Sequence, residues 1–459
     1  MIADQSIFRA YDMRGLYPSQ MNEAIAFAAG QAFVQILGAK KVVVGRDVRP
    51  SGVSLEEAMI RGITEAGADV IRVGVISTDM LYYAAGTLDC DGGMSITASH
   101  NPHGWNGIKF IAKGAKPITK EGELGQIYDF INSGQKISQF EHGTVTDHDL
   151  LPDFVSFLKK HIPADLPAMK LVLNPNFGAL GKVLDATLEG TPLEIVRLNW
   201  VEDGTFPKGT PDPLLPSNRK EISETVVAEK ATLGFAFDAD ADRCFCFDEQ
   251  GRFFHGYYLT CLISETLLAE NPGAAIVAER RLVRGVRETV AKNGGELVYS
   301  KTGHGYFKNS MRQHNAVFGG EVSGHFYYRE FFGCDSGIFT LITLLKRFSQ
   351  ALAAGQTVGT LLDAYMAHYP VWPQELNFIV PDSAVVLAAA KEKFSDAELN
   401  DQEGYSFEFP TWYFNMRLSA NEPVMRVNIE AATAEEVTQH QEELMELVTS
   451  HGGTLRNDE

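Results

Sequence analysis

The chain has 459 residues, 40 Lys and Arg against 59 Asp and Glu, a formal net charge of −19 and a hydrophobic fraction of 45%. Such an acidic chain does not suit a nucleic-acid binder or a protein of anionic membrane surfaces, and its apolar content excludes a mainly disordered polypeptide. No stretch approaches the roughly 18 uninterrupted apolar residues of a membrane span, and the start Met1-Ile2-Ala3-Asp4-Gln5 lacks the cationic opening of a signal peptide, so a cytoplasmic protein is expected.

At about 150 residues per domain, length alone predicts about three domains. In chain order, 24–39 reads as a helix, 41–45 as a buried strand, 53–67 as a helix and 69–75 as a strand. Short β-branched runs alternating with helical stretches are the mark of a parallel α/β layer. The rhythm recurs over 170–198, reaching a strand at 233–237. It returns a third time from strand 274–278 through helix 281–293 and strand 296–300 to 316–319. Proline and glycine mark candidate joints near 141–165, 250–256 and 369–374. Beyond the last, strands 376–380, 405–409 and 424–430 precede an amphipathic helix at 433–448, which reads as a small α+β domain. The five cysteines include no Cys-x-x-Cys pair, and Cys244 and Cys246, on one face of a strand, read as apolar fillers.

In open α/β sheets ligands lie beyond the carboxyl ends of strands, so the loops there carry the information. Strand 93–96 is followed by Thr97-Ala98-Ser99-His100-Asn101-Pro102. The Ser99 hydroxyl, on a stiff turn beside His100, suits a phosphoryl acceptor, although the same residues also make an ordinary turn. Lys109, on the next strand, adds a cation able to steady phosphate charge. Strand 233–237 is followed by Asp238-Ala239-Asp240-Ala241-Asp242-Arg243, and three carboxylates at alternate positions are most easily tolerated around a hard cation. The spacing also fits the start of an EF-hand, with Glu249 twelfth, but Arg243 stands where that loop needs glycine and both flanks are strand-like. In Gly319-Gly320-Glu321-Val322-Ser323-Gly324-His325, Glu321 and Ser323 can grip sugar hydroxyls, while His304 and His325 can donate to phosphate or carry a proton. Arg417-Leu418-Ser419-Ala420-Asn421-Glu422-Pro423, with Arg426 beyond, reads as a phosphate cradle on one turn. The last 94 residues hold five Lys and Arg against seventeen Asp and Glu, so these arginines are a local basic site in an acidic tail.

Together with Tyr11-Asp12-Met13-Arg14-Gly15, these loops resemble, in order and over nearly the whole chain, those of the α-D-phosphohexomutase superfamily, bacterial phosphomannomutase/phosphoglucomutase type. The resemblance implies three consecutive α/β domains of similar topology plus a smaller α+β C-terminal domain around a central cleft. Its boundaries would be 1–145 for the phosphoserine domain, 146–250 for the metal-binding domain, 251–368 for the sugar-binding domain and 369–459 for the phosphate-binding domain. It implies reversible transfer of phosphate between the 1- and 6-positions of a hexose phosphate, mannose before glucose, with a hexose 1,6-bisphosphate as intermediate and activator. Ser99 would be phosphorylated and would hold one Mg²⁺ with Asp238, Asp240 and Asp242. Arg14, His100, Lys109 and Arg243 would surround the transferring group, and His304 and His325 would lie at the reacting end. Glu321 and Ser323 would bind the sugar, and Arg417, Ser419, Asn421 and Arg426 the far phosphate. Three departures stand out: Ala239 and Ala241 where relatives carry glycine, Ala420 in the phosphate loop, and Val322 where relatives often carry methionine, which fits a hexose over an N-acetylhexosamine. Two other readings stay open: a haloacid-dehalogenase-like phosphatase with Asp238 as nucleophile, and a non-catalytic sugar-phosphate or calcium-binding module.

Overall fold

The computed structural model describes residues 3–137, 139, 141–418 and 424–456, which form two compact units. Unit 1 comprises Met1–Phe253 and His325–Ser349, and unit 2 comprises Phe254–Gly324 and Gln350–Glu459.

Unit 1 contains two sheets with helices between their strands. In the first, strand Lys41–Arg46 lies parallel to Asp69–Val75 on one side and to Gly92–Ile96 on the other. Strand Trp105–Ala112 then runs antiparallel to Gly92–Ile96 and to Asp12–Leu16. This register decides the chemistry. Arg46 pairs with Ile96, so the loops after these two strands start side by side, and the Asp47 amide donates to the Ile96 carbonyl at 2.8 Å. Lys109 pairs with Ser95 on one side and Asp12 on the other. Helix Glu23–Leu37 begins at Asn22, whose side chain accepts from the Ile25 amide, and ends at Gly38 in the left-handed conformation. In the second sheet, strands Leu193–Arg197, Met169–Asn174 and Leu233–Phe237 are parallel. Strand Cys244–Phe247 folds back antiparallel on the last of these, so Asp238–Arg243 is a hairpin loop, and strands on both sides dispose of the EF-hand reading. Cys244 and Cys246 are buried free thiols, as fillers should be.

In unit 2, strand Ala275–Ala278 lies parallel between Glu296–Tyr299 and Phe318–Gly320, with helices Gly256–Glu270, Arg284–Lys292 and His304–Gln313 as connections. The C-terminal sheet runs in the order Glu398–Asn400, Tyr405–Glu408, Trp412–Leu418, Met425–Ala431, Leu376–Ile379, Thr454–Leu455. Helices Ser383–Lys393 and Ala434–Ser450 accompany it, and Phe378, Phe394, Phe407, Phe414, Ile429 and Leu444 share one core, an α+β arrangement as expected. Buried Glu430 joins sheet to helix, accepting from the Val283 amide at 2.6 Å and the Tyr257 hydroxyl at 2.7 Å.

Several elements were absent from the sequence reading, helices Gly256–Glu270 and Gly337–Ala353 among them, and two others show why. Helix Thr78–Thr87 is buried over its first eight residues, so it shows no polar face and no 3.6-residue period. Strand Trp412–Leu418 is buried over five successive residues and lacks the alternation of a half-exposed strand.

Helices Glu23–Leu37 and Gly52–Glu65 cross with backbones nearly touching. A Cβ on Gly62 would stand 2.1 Å from the Phe27 carbonyl oxygen, and one on Gly30 would stand 2.5 Å from that of Met59. The forced separation in Gly62→Ala should therefore outweigh the gain of about 1 kcal/mol in helix propensity, giving a net loss of about 1–3 kcal/mol in urea unfolding. Unchanged stability would show that the crossing relaxes freely.

Candidate active site

Ser99 follows the carboxyl end of strand Gly92–Ile96 and has φ +50, a conformation that costs a non-glycine residue about 1–2 kcal/mol. Its amide donates to Thr97 Oγ1 at 2.9 Å, which fixes the turn, and its Oγ lies 3.1 Å from His100 Nδ1 and donates to Asp238 Oδ2 at 3.2 Å. Burial and the Arg243 charge push His100 down to about 3, so its ring is neutral near pH 7.

The acidic loop supplies the other side. Asp238, Asp240 and Asp242 are almost completely buried, and each offers an oxygen within 4.8 Å of the others. Buried carboxylates need buried cations. Lys109 Nζ reaches Asp240 Oδ2 at 2.6 Å and Asp242 Oδ2 at 2.5 Å, while Arg243 Nε donates to Asp238 Oδ2 at 2.9 Å. Burial opposes the charge on Lys109, but the two carboxylates outweigh it and raise its pKa. Burial likewise raises Asp238, whereas Asp240 is held low against burial by Lys109. Ala241 adopts φ +59 despite its Cβ, so the loop keeps a glycine-like bend at that position, and Ala239 does not take a positive φ. Among the described residues, Asp240 Oδ1 and Asp242 Oδ1 are buried without a hydrogen-bond partner. Orphaned carboxylate oxygens beside a third carboxylate and a hydroxyl fit an oxygen-seeking divalent cation.

Around this centre Arg14 donates from Nε to Asp12 Oδ2 at 2.8 Å and from Nη1 to Asn101 Oδ1 at 3.1 Å. His325 pairs by its backbone with Arg243 and places Nε2 3.6 Å from Asp242 Oδ1. Unit 1 thus brings together Arg14, Ser99, His100, Lys109, the three aspartates, Arg243 and His325. It adds two residues that sequence reasoning missed. Asp212 accepts from Arg243 Nη1 at 3.1 Å and lies 4.0 Å from His100 Nε2. Thr78, first residue of its helix, donates from Oγ1 to Asp240 Oδ2 at 2.6 Å and from its amide to the Asp240 main-chain carbonyl at 2.8 Å. Both are single residues in unremarkable sequence. The signal for Thr78 was its place after strand Asp69–Val75.

Unit 2 holds the second group. Glu321 starts the turn 321–324 and accepts from the Gly303 amide at 2.9 Å, which ties the loop of Ser323 to the start of the helix headed by His304. Glu279, beyond the carboxyl end of strand Ala275–Ala278, accepts from the Val322 amide at 2.6 Å, Thr302 Oγ1 at 2.8 Å and Arg281 Nη2 at 2.8 Å. Arg417 and Arg426 are not on one turn: they face each other as register partners on strands Trp412–Leu418 and Met425–Ala431. Between them Glu375 receives Arg417 Nη2 at 2.9 Å, Arg426 Nη1 at 3.1 Å and Asn428 Nδ2 at 2.8 Å. Burial would raise Glu375, but Arg417, Arg281 and Arg426 outweigh it and bring it down to about 2. Glu279, Arg281 and Glu375 were not read from the sequence. Ser419, Ala420 and Asn421 lie outside the described residues.

Three segments match the three α/β/α domains of one family, phosphoglucomutase/phosphomannomutase: residues 5–138 match domain I, 152–251 domain II and 255–369 domain III. A phosphomannomutase of Vibrio cholerae is 38% identical over 437 residues, covering 92% of this chain and 94% of its own. A protein of Xanthomonas campestris described as a phosphohexose mutase is 37% identical with the same coverage. A crystal structure of a phosphoglucomutase/phosphomannomutase family protein from Burkholderia thailandensis is 29% identical, covers 99% of this chain and 100% of its own, and superposes with a TM-score of 0.88.

The Glu375 cluster yields a pH prediction. Its folded pKa lies below the ordinary 4.5, so the stabilisation is present above about pH 4.5 and is lost as pH falls toward 2. Glu375→Gln should destabilise unit 2 by about 3 kcal/mol at pH 7, and the deficit should shrink by about half at pH 3. A deficit constant with pH in denaturant titrations would show that ionisation of Glu375 does not stabilise the fold.

Proposed function

The chain belongs to the α-D-phosphohexomutase superfamily, bacterial phosphomannomutase type, and is a phosphohexomutase; on that premise we propose that it interconverts mannose 1-phosphate and mannose 6-phosphate through phosphoserine at Ser99, glucose phosphates being the second substrate pair. The observation that carries the assignment is the Ser99 hydroxyl, 3.2 Å from Asp238 and 3.1 Å from His100, beside two orphaned carboxylate oxygens. Asp238 is less suited as a nucleophile because both its oxygens already accept hydrogen bonds, Oδ1 from the Arg243 amide and Oδ2 from Arg243 Nε and Ser99. The proposed domains are 1–145, 146–250, 251–368 and 369–459; the matched segments are in keeping with the first three, although strand Val145–Asp147 pairs with Asp69–Val75 across the first boundary.

In the proposed reaction the Ser99 Oγ–P bond breaks as a P–O bond forms to the free hydroxyl of the hexose phosphate, giving the 1,6-bisphosphate. The sugar hydroxyl proton passes to a neighbouring base, for which His304 and His325 are the candidates, and the departing Ser99 oxygen takes up a proton to become the hydroxyl again, with Lys109 as the candidate donor. The other phosphate then returns to Ser99. Transfer of this loose kind needs alignment and positive charge more than covalent help. Arg14, Lys109 and Arg243 supply fixed charge, and His100, neutral near pH 7, can donate from Nδ1 to Ser99 Oγ while the hydroxyl donates to Asp238. Mg²⁺ would be held by Asp238, Asp240, Asp242 and the phosphoserine and would supply Lewis-acid charge to the transferring group. Glu321 and Ser323 would hold the sugar. Arg417 and Arg426, with Ser419 and Asn421, would hold the phosphate that is not reacting, their guanidinium planes aligned by Glu375. A hexose 1,6-bisphosphate would prime Ser99 as activator. Among the described residues no helix is long and apolar enough to cross a membrane.

Purified protein with mannose 1-phosphate, Mg²⁺ and a trace of glucose 1,6-bisphosphate should produce mannose 6-phosphate. Ser99→Ala should lower kcat by at least about 1,000-fold, and chelation should stop turnover until Mg²⁺ is restored. Absence of turnover with every hexose phosphate would overturn the proposal, and kcat/KM for the two sugar 1-phosphates measures the preference.

A further inference from the structure

Arg49 is a buried arginine with 2% exposure whose charge is only partly explained by an ion pair. It stands in the loop after strand Lys41–Arg46, in the stretch Gly45-Arg46-Asp47-Val48-Arg49-Pro50, beside the loop of Ser99 because the two parent strands pair in register. All five of its guanidinium N–H groups have a role. Nε donates to Asp47 Oδ2 at 3.0 Å. Nη1 donates to the carbonyls of Pro102 at 2.9 Å and Trp105 at 3.1 Å. Nη2 donates to the carbonyls of Ser99 at 2.8 Å and Asn101 at 2.5 Å. Asp47 is itself fixed, its Oδ1 accepting the Arg49 amide at 2.9 Å, and the guanidinium lies 4.8 Å from the Phe206 ring.

Four main-chain carbonyls of one loop turned toward a single cation is an unusual demand on a backbone. It needs the planar five-donor fork of arginine, which a lysine cannot reproduce. One of the four carbonyls belongs to Ser99, the residue held at φ +50. Backbone strain of this kind persists only where the surroundings impose it. Arg49 grips the carbonyl that follows the strained φ, and Thr97 Oγ1 grips the amide that precedes it.

We infer that Arg49 is a positioning residue for phosphoryl transfer: through the carbonyls of residues 99–105 it sets where the Ser99 hydroxyl stands relative to Asp238, without itself touching the substrate. The inference rests on Ser99 being the phosphoryl acceptor. It deepens that reading by assigning the loop's geometry to one side chain. Because Arg49 acts on the serine and not on the residues assigned to the sugar, its loss falls on the chemical step. An error of about 1 Å in a reacting atom is enough to cost on the order of 100-fold in rate.

The test compares wild type with Arg49→Lys, which keeps the charge but not the fork, and with Asp47→Asn, which keeps Arg49 but puts an amide opposite Nε. Three quantities are read: thermal unfolding, kcat and KM for mannose 1-phosphate, and the rate of Ser99 phosphorylation by glucose 1,6-bisphosphate followed by intact mass. The expected result is a folded variant whose kcat and phosphorylation rate fall together by at least about 30-fold while KM moves less than about threefold. Folded variants with wild-type kcat overturn the inference. So does a fall in kcat/KM carried mainly by KM. Failure of both variants to fold makes Arg49 a residue of core stability and overturns it equally. If the wild-type protein itself is not phosphorylated on Ser99, the fault lies with the underlying reading of Ser99.

Discussion

Three carboxylates, on Asp238, Asp240 and Asp242, are buried within one hairpin loop, and unit 1 is arranged around the need to balance them. Water is excluded, so the balancing charge must be built in. Lys109 is carried there by the register of three neighbouring strands, and Arg243 folds back from the loop's own end. Thr78 brings hydrogen bonds from the start of a helix, where the backbone dipole favours negative charge. Even so, two carboxylate oxygens remain without donors. Built-in cations stabilise the loop, and the residual negative charge makes it a candidate site for a divalent ion beside the Ser99 hydroxyl.

The same physical device recurs in unit 2. Glu375 lies between Arg417 and Arg426, and Glu279 meets Arg281 while receiving the Val322 amide. In both cases a carboxylate, half-buried at Glu375 and buried at Glu279, holds guanidinium groups or loop amides in fixed orientation. A guanidinium already aligned loses less rotamer freedom when it meets an anion than one free in solvent. The arginines of the acidic C-terminal segment are thereby held by a carboxylate of the same unit.

How much of this could be read in advance followed from how each residue announces itself. Strand Asp69–Val75 was read to the residue because its β-branched run follows Gly67 and gives way to Ser77 and Thr78. The loops of Ser99, Asp238 and Glu321 were visible because several chemically active residues cluster after a strand. Thr78, Asp212, Glu279 and Glu375 escaped because each is one polar residue, whose meaning lies in partners distant in sequence: Thr78 meets Asp240 across 162 positions. Arg49 escaped for a different reason. Its partners are main-chain carbonyls, which leave no trace in residue type. The two arginines of the phosphate cradle were found but placed on one turn, since spacing alone does not separate a turn from the two arms of a hairpin. Ala241 shows the reverse case, a side chain that disfavours the left-handed bend and yet adopts it.

The account turns on Ser99 being the residue that carries phosphate between the two ends of the sugar. The most direct measurement is phosphopeptide mapping of the protein after brief exposure to glucose 1,6-bisphosphate and Mg²⁺. The account predicts one phosphate on the peptide containing Ser99, discharged when mannose 1-phosphate is added. Phosphate on Asp238, or a protein that turns over hexose phosphate without ever carrying phosphate on Ser99, would contradict it.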